Sequence, residues 1–206
     1  MIKSIILASR SKVRKKILKE NGIKCSVQPS NVDEESEKAS LLKDSRGDQR
    51  YVEDMSPELI SMYLAHLKAE KTSLKSNNKN KIVLGADSVI DFNGELISKP
   101  KNREEALKIL KKLNGKTHHL ISSVCISKNG SMIWNHTDKA YLTMKQMTNK
   151  ELKSYLSKIK DEALYAYNVY QIEGEVRYLF SKIEGDEDTI MGLPVKQIKE
   201  YLNKTK

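Results

Sequence analysis

An apolar run near the middle of the chain, from Ile82 to Ile90, is interrupted by a single acid, Asp87. Such a run predicts a buried strand, and the Asn93-Gly94 pair that follows predicts a tight hairpin turn. A carboxylate inside a buried strand must form an ion pair, bind a metal, or lie at a strand end facing a cleft. A purely structural role for Asp87, as a turn former or helix cap, is the alternative.

Strand and helix patterns alternate along the rest of the chain. Ile5–Ala8 is a short apolar run, and Val13, Ile17 and Leu18 mark one face of a following helix. The segment Pro29–Asp54 is polar and has no clear period, which predicts a long loop. Further strands are predicted near His119–Ser127, Ser131–Asn135, Ala140–Met144 and Val176–Ile183. The alternation predicts an α/β fold with antiparallel hairpins, in a single domain spanning residues 1–206.

The charge balance is basic. The 206 residues include 37 Lys and Arg against 27 Asp and Glu, a formal net charge of +10. Only six of these cations are arginine, the residue that base readout and rigid phosphate contacts favour, so a nucleic-acid partner is not expected. A positive field would still attract a small polyanionic substrate.

Targeting and redox signals are sparse. No stretch approaches the roughly 18 apolar residues of a membrane-spanning helix, and the N-terminal sequence lacks the pattern of a signal peptide. Two cysteines, Cys25 and Cys125, have no metal-ligand spacing, which disfavours both a zinc site and a disulfide scaffold. We therefore expect a cytoplasmic protein with no membrane partner.

The start of the first helix predicts an anion site. A strand that ends near Ser9 and Ser11 leads into a helix whose first turn carries Lys12 and Arg14. Free N–H groups at the helix start, together with these side chains, can point at a phosphate. The helix dipole opposes cations at this end, a cost that makes sense if an anion binds there. An ordinary capped helix with basic surface residues is the alternative.

Other charged positions are weak signals on their own. Lys68 follows the apolar stripe of a helix, where a solvated lysine is the simpler interpretation. Lys99 leaves a strand in Ser98-Lys99-Pro100, and Glu34 belongs to an acidic run that reads as a solvated surface.

Several segments nevertheless match, in order, the motifs of one family. They are Leu7-Ala8-Ser9-x-Ser11-x-x-Arg14, Val32-Asp33-Glu34, Leu64-Ala65-x-x-Lys68-Ala69, Gly85-Ala86-Asp87-Ser88-Val89, Ser98-Lys99-Pro100 and Gly192-Leu193-Pro194. Together they resemble the Maf family of nucleoside triphosphate pyrophosphatases. The resemblance spans nearly the whole chain. It implies an elongated, two-lobed, mixed-sheet fold similar to that of inosine-triphosphate pyrophosphatases, with a central cleft, and a homodimer.

The resemblance also implies roles for individual residues. Asp87 would accept a proton from the attacking water, with Lys99 and Glu34 as further catalytic residues. Glu34 and Asp87 would hold a divalent cation, Mg²⁺ or alternatively Mn²⁺. Substrate binding would fall to Ser9, Ser11, Arg14, Lys68, Ser88 and Glu173. The implied reaction is attack of water on the α-phosphorus of a nucleoside triphosphate, which releases a monophosphate and pyrophosphate.

Two further expectations concern the cleft cations and the base. Arg14 and Lys99 should be exposed and add little to stability. The family usually has an arginine at Val13, many members have threonine at Ser88, and many have glutamine at Glu173. An ionised Glu173 accepts hydrogen bonds only, so it suits the N–H groups of guanine rather than the carbonyl edge of uracil or thymine. We expect an enzyme that is broad or shifted toward a guanine-type triphosphate, including a modified one.

A second class of function remains open on the sequence. A basic protein that binds RNA or the ribosome could use the same cleft without turnover. Such binding would depend steeply on salt and would release no pyrophosphate.

Overall fold

The computed structural model describes residues 4–42, 55–161, 164, 169–170 and 174–205. The strands are β1 (Ile5–Leu7), β2 (Cys25–Val27), β3 (Val83–Phe92), β4 (Glu95–Ile97), β5 (Thr117–Lys128), β6 (Ser131–Met144) and β7 (Phe180–Glu184). The α-helices are α1 (Lys12–Glu20), α2 (Glu34–Leu42), α3 (Pro57–Ser73), α4 (Arg103–Leu113), α5 (Asn149–Lys158), α6 (Glu187–Ile190) and α7 (Val195–Lys204). Short 3₁₀ helices lie at Ser76–Asn78 and Gly174–Leu179. In these described ranges, no helix is long and apolar enough to cross a membrane.

One mixed sheet organises the described part of the chain. Its strand order is β2-β1-β3-β5-β6-β7, and β4 pairs with β3 outside this path. Strand β1 is parallel to both β2 and β3, whereas every pair among β3, β4, β5, β6 and β7 is antiparallel. The predicted α/β class, with a mixed sheet and antiparallel hairpins, is confirmed.

Local signals in the sequence form one tight turn and three helix starts. Asn93 and Gly94 adopt positive φ angles of 55° and 84°, as a tight turn between β3 and β4 requires. The side chains of Ser56, Asn102 and Thr148 each accept a hydrogen bond from a backbone N–H in the first turn of the helix that follows. These caps satisfy donors that a helix leaves unpaired, and so they fix where α3, α4 and α5 begin.

Two apolar clusters form the core. One joins β1, α1, the beginning of β3, the end of β5 and α7. The other joins the end of β3, β4, β6 and β7 with α4 and α5. Strand β3 contributes to both, so its central residues lie at the junction between the two clusters. This junction is where the sequence places Asp87.

Three predicted elements differ from the structure. The segment Pro29–Asp54 is not wholly a loop, because α2 occupies Glu34–Leu42, and residues 43–54 lie outside the described part. The two strands predicted at Ser131–Asn135 and Ala140–Met144 are one continuous strand, β6, held along its length by β5. The strand predicted from Val176 begins only at Phe180, after a 3₁₀ helix.

Candidate active site

A gap along one edge of β3 creates the cleft. Strand β1 pairs with the beginning of β3, up to Leu84, and β4 pairs with its end, from Ile90 onward. Among the described strands, none pairs with Gly85–Val89 on this edge. The gap opens into a cleft of about 760 Å³ whose wall includes Asp87 and Ser88. Ligands of open α/β sheets commonly bind beyond the carboxyl ends of parallel strands, and β1 ends here.

A glycine allows α3 to pack closely against β3. A Cβ atom added at Gly85 would lie 2.1 Å from the backbone oxygen of Ala65 and 2.7 Å from the backbone nitrogen of Ala69. No other residue fits this approach without moving the helix. Because side chains alternate along a strand, Asp87 faces the same helix as Gly85. The close packing therefore brings Lys68, on α3, within reach of Asp87.

The Lys68 ammonium joins two carboxylates. Its Nζ lies 2.7 Å from Asp87 Oδ1 and 2.7 Å from Glu34 Oε1. Lys68 and Asp87 are buried, with side chains 7% and 5% exposed. Burying such charges is costly unless they are paired, so each of the three groups depends on the others. Lys68 is thus not the solvated helix lysine that its sequence context suggested.

Each carboxylate retains an oxygen that Lys68 does not bind. Asp87 Oδ2 is buried and has no hydrogen-bond partner among the described residues. Burial raises the pKa of Glu34, but the charge and hydrogen bond of Lys68, with the charges of Lys99 and Lys38, outweigh it and lower the pKa to about 2. Glu34 is therefore ionised at neutral pH. Lys99 is exposed, as expected, and its Nζ lies 3.8 Å from Glu34 Oε2.

This pair of carboxylates fits a divalent cation. No group of three or more His, Cys, Asp or Glu side chains that could hold a metal occurs in the part of the chain that the structure describes. A metal here would rest on Glu34 and Asp87 and complete its shell with phosphate oxygens and water, the usual manner of Mg²⁺. The unpartnered Oδ2 of Asp87 is an electron-pair donor of the kind that such an ion would need.

Arg14 is bonded to the protein itself. Its guanidinium donates to the backbone oxygens of Gly192 and Ala86, at 2.8 and 2.9 Å, and to Ser88 Oγ at 3.0 Å. A longer bond of 3.4 Å reaches Ser9 Oγ. The expectation of an exposed cation is therefore wrong for Arg14, since β3, the loop before α1 and the segment before α7 all hold it. In this arrangement it fills part of the gap beside β3.

The two predicted serines of the first loop shape the start of α1. Ser11 is the N-cap, and its Oγ accepts from the N–H of Arg14 at 3.2 Å. The N–H of Ser11 in turn donates to Ser9 Oγ at 3.2 Å. Both serines line the cleft. The loop thus presents hydroxyl groups and the N-terminus of a helix to the cavity, as an anion site requires.

Ser88 belongs to a series of linked hydrogen bonds that the sequence did not reveal. Its Oγ lies 2.9 Å from Ser122 Oγ, on the adjacent strand β5, and Ser122 donates to the backbone oxygen of Thr189 at 2.8 Å. Thr189 Oγ1 donates to Asp138 Oδ2 at 2.7 Å. These bonds tie the cleft wall to β6 and α6. Only the strand register, which places Ser88 opposite Ser122, could have indicated the contact.

The far half of the cleft is apolar. It is lined by Val89, Ile90, Leu96, Ile97, Leu120, Tyr170, Ile190 and Met191. The Tyr170 hydroxyl is hydrogen-bonded to the buried His118, whose pKa is lowered to about 4 by burial and by the charge of His119. His118 is therefore neutral at pH 7. A polar, cationic end joined to an apolar end suits a molecule that combines phosphates with an aromatic base.

Some site residues escaped the sequence analysis, and one predicted residue is not described. Arg10 and Lys38 line the cleft, and a helical reading of α2 would have placed Lys38 one turn after Glu34. Val13, which stands where the family usually has arginine, also lines it. Glu173 lies outside the described residues.

Comparisons with known proteins agree with the resemblance. The model of the family described as Maf-like protein matches residues 4–205. The chain is 68% identical to a nucleoside triphosphate pyrophosphatase of Pelagibacter ubique, over 98% of each chain. It is 34% identical to a 7-methyl-GTP pyrophosphatase of Brucella abortus, over 100% of this chain and 98% of the relative. Among solved structures, a HAM1 protein from Coxiella burnetii matches 98% of both chains at 12% identity, with a TM-score of 0.47. On the family match and the identities of 68% and 34%, the chain belongs to the Maf family.

Proposed function

We propose that this protein hydrolyses a nucleoside triphosphate to the monophosphate and pyrophosphate. The observation that carries the proposal is the Lys68 ammonium, which lies 2.7 Å from both Asp87 Oδ1 and Glu34 Oε1 at the wall of the cleft. The names of the Pelagibacter ubique and Brucella abortus relatives, both pyrophosphatases of nucleoside triphosphates, support the same reaction.

Asp87 is suited to accept the proton of the attacking water. Lys68 holds Oδ1 in place, while Oδ2 has no hydrogen-bond partner among the described residues. In the proposed step the water oxygen forms a bond to the α-phosphorus as one of its protons passes to Oδ2. The bond from the α-phosphorus to the bridging oxygen breaks, and its electron pair leaves with the pyrophosphate.

The charges around the cleft favour a polyphosphate. Its described lining contains the cations Arg10, Arg14, Lys38, Lys68 and Lys99 and the acids Asp33, Glu34 and Asp87. Excess positive charge stabilises both the bound substrate and the charge that develops on the leaving pyrophosphate. A divalent cation held by Glu34 and Asp87, when bound, would neutralise further phosphate charge.

We further propose a preference for a guanine-type base, including a modified one, or a broad preference. The acceptor-only carboxylate of Glu173 suits the N1–H and amino groups of guanine. A relative that matches the whole of this chain is named 7-methyl-GTP pyrophosphatase, which agrees with such a preference. The apolar side chains that line the cleft would pack against the ring of any base without distinguishing one base from another.

Isotope labelling tests the reaction itself. Hydrolysis in ¹⁸O-labelled water, with Mg²⁺ present, should place the label in the nucleoside monophosphate and none in the pyrophosphate. Label in pyrophosphate would move the attack to the β-phosphorus, and release of orthophosphate alone would contradict the proposed function. The same experiment without added metal, in a chelator, tests the metal dependence.

A nucleotide panel tests the base preference. GTP, 7-methyl-GTP, dTTP, UTP, CTP and ATP are compared by kcat/KM for the wild type and for Glu173→Gln. We expect the substitution to move the preference toward pyrimidines. A strong wild-type preference for dTTP and UTP that is unchanged in Glu173→Gln would contradict the role of Glu173.

The assembly and location are proposals as well. We propose a cytoplasmic homodimer, on the family resemblance. Analytical ultracentrifugation at micromolar concentration and fractionation of cells test the two statements; a monomer, or a protein found with the membranes, would contradict them.

A further inference from the structure

We propose that Lys38, on α2, binds a phosphoryl oxygen of the substrate's phosphate chain. The substrate identity rests on the proposed function, whereas the phosphate contact can be tested without it. No motif of the sequence points to this residue. Three features of Lys38 indicate this role: its position on α2, the burial of its side chain, and the charges that surround it.

The position of α2 turns Lys38 toward the cleft. Residues four apart lie on the same face of a helix, so Lys38 shares a face with Glu34, and both line the cavity. Another face of α2 is held against α3, where Tyr63 Oη donates to Glu37 Oε2 at 3.3 Å and Lys71 Nζ donates to Glu37 Oε1 at 3.1 Å. These two bonds fix the rotation of the helix about its axis.

The Lys38 side chain is largely buried, and its ion pair is long. It is 10% exposed, and its ion pair among the described residues joins Nζ to Glu35 Oε1 at 3.6 Å. That distance is too long for a hydrogen bond, and the Glu35 side chain is itself 67% exposed. Most of the side chain is covered, and no carboxylate among the described residues lies within hydrogen-bond distance of its ammonium. A phosphate in the cleft would supply the missing anion.

The surrounding charges place Lys38 at the phosphate end of the cleft. The ammonium groups of Lys68 and Lys99 lie 2.7 and 3.8 Å from Glu34, and Lys38, one turn further along α2, is the third lysine whose charge lowers the pKa of that carboxyl. Lys68 and Lys99 are already expected to bind phosphates. The geometry adds Lys38 to them as a third lysine, contributed by a helix that neither of the other two occupies.

The alternative is an ordinary ion pair within a helix, and the chain offers a matched control for it. Lys16, on α1, forms a similar pair with Glu20 at 3.9 Å, but its side chain is 71% exposed and it does not line the cleft. Lys38→Met and Lys16→Met remove the same charge from comparable helical pairs. The two variants should differ in phosphate binding only if the position of Lys38 in the cleft matters.

The experiment measures binding of inorganic tripolyphosphate, with Mg²⁺ present, by isothermal titration calorimetry. Lys38→Met should weaken binding by about ten- to a hundredfold, the range for losing a hydrogen bond to a charged group. Lys38→Arg, which keeps the charge, should restore most of the affinity, and Lys16→Met should bind as the wild type does. The melting temperature of Lys38→Met should equal or exceed that of the wild type.

Three outcomes would overturn the assignment. These are wild-type affinity in Lys38→Met, an equal loss in Lys16→Met, or a lowered melting temperature with unchanged affinity. A wild type that binds tripolyphosphate through Lys38 but releases no pyrophosphate from any nucleotide would refute the proposed function and leave the phosphate contact standing.

Discussion

At the scale of single residues, the ammonium of Lys68 determines the charge state of the cluster. It is buried between Glu34 and Asp87, and it stabilises the ionised form of each carboxylate that it contacts. The folded protein lowers the pKa of Glu34 from its ordinary value of 4.5 to about 2. A lowered acid pKa adds stability above pH 4.5, and this contribution is lost as the pH falls toward 2.

The Glu34→Gln variant tests this linkage. The difference in unfolding free energy between the wild type and Glu34→Gln should be largest above pH 4.5 and should shrink as the pH falls toward 2. Urea denaturation across this range measures it. In a Lys68→Met background, the difference in unfolding free energy caused by Glu34→Gln should lose most of its pH dependence. A difference that stays constant with pH in the wild-type background would show that Lys68 does not hold the Glu34 carboxylate.

Arg14 contributes to stability through its bonds to the protein. Arg14→Ala removes a bond to Gly192, before α7, and two bonds to β3, at Ala86 and Ser88. We expect a loss of about 2 kcal/mol, which lowers the melting temperature by about 4–8 °C in a chain of this size. Arg10→Ala is the control, because exposed Arg10 makes one hydrogen bond within the described part of the chain, of 3.1 Å to Asn31, and should change stability by less than about 0.5 kcal/mol. Equal melting temperatures for the two variants would contradict this role for Arg14.

At the scale of elements, the contact between α3 and β3 positions the chemistry. Gly85→Ala would place a methyl group 2.1 Å from the backbone oxygen of Ala65, so α3 must move away from the sheet. We expect a loss of about 3 kcal/mol, typical of overpacking, together with a large loss of activity because Lys68 moves with its helix. Calorimetry and the pyrophosphate assay measure the two effects.

A glycine in the β3–β4 turn provides the comparison. Gly94 has a φ of +84°, and no atom lies within 4 Å of a Cβ built there, so Gly94→Asn should cost less than about 1 kcal/mol and leave activity unchanged. If Gly85→Ala behaves like Gly94→Asn, close packing of α3 is not what positions Lys68.

Helix α2 shows why one element could not be predicted. Its sequence has no apolar stripe, which is the usual signal for a helix. Its described contacts are polar and distant in sequence, such as the bonds of Glu37 to Tyr63 and Lys71. Strand β3, by contrast, carries its own signal in an apolar run closed by an Asn-Gly turn, and it was predicted correctly.

At the scale of the whole molecule, the predicted site residues that the structure describes meet at one cleft. It is lined by Ser9, Ser11, Arg14, Glu34, Lys68, Asp87, Ser88 and Lys99. The sequence could not show that Lys68 is buried, because its burial depends on the approach of α3 at Gly85 and on the docking of α2. The cleft itself arises because β1 is much shorter than β3, a difference in length that only the assembled sheet exposes.

The net charge of +10 should act on substrate capture rather than on chemistry. Salt screens a positive field, so kcat/KM for a nucleoside triphosphate should fall as the ionic strength rises from about 0.01 M to 0.15 M, where the Debye length shortens from about 30 Å to about 8 Å. The value of kcat should change little. Steady-state kinetics at several salt concentrations measure this, and a kcat/KM that is independent of salt would show that the field does not guide the substrate.

The central claim is that Asp87 accepts the proton of the water that attacks the α-phosphorus. The most direct test is the rate of pyrophosphate release by Asp87→Asn, compared with the wild type under saturating substrate and Mg²⁺, for variant protein whose circular dichroism matches the wild type. We predict a rate lower by about 10²–10⁴-fold, the usual contribution of a general base. A folded Asp87→Asn protein that releases pyrophosphate at a rate near that of the wild type would contradict the claim.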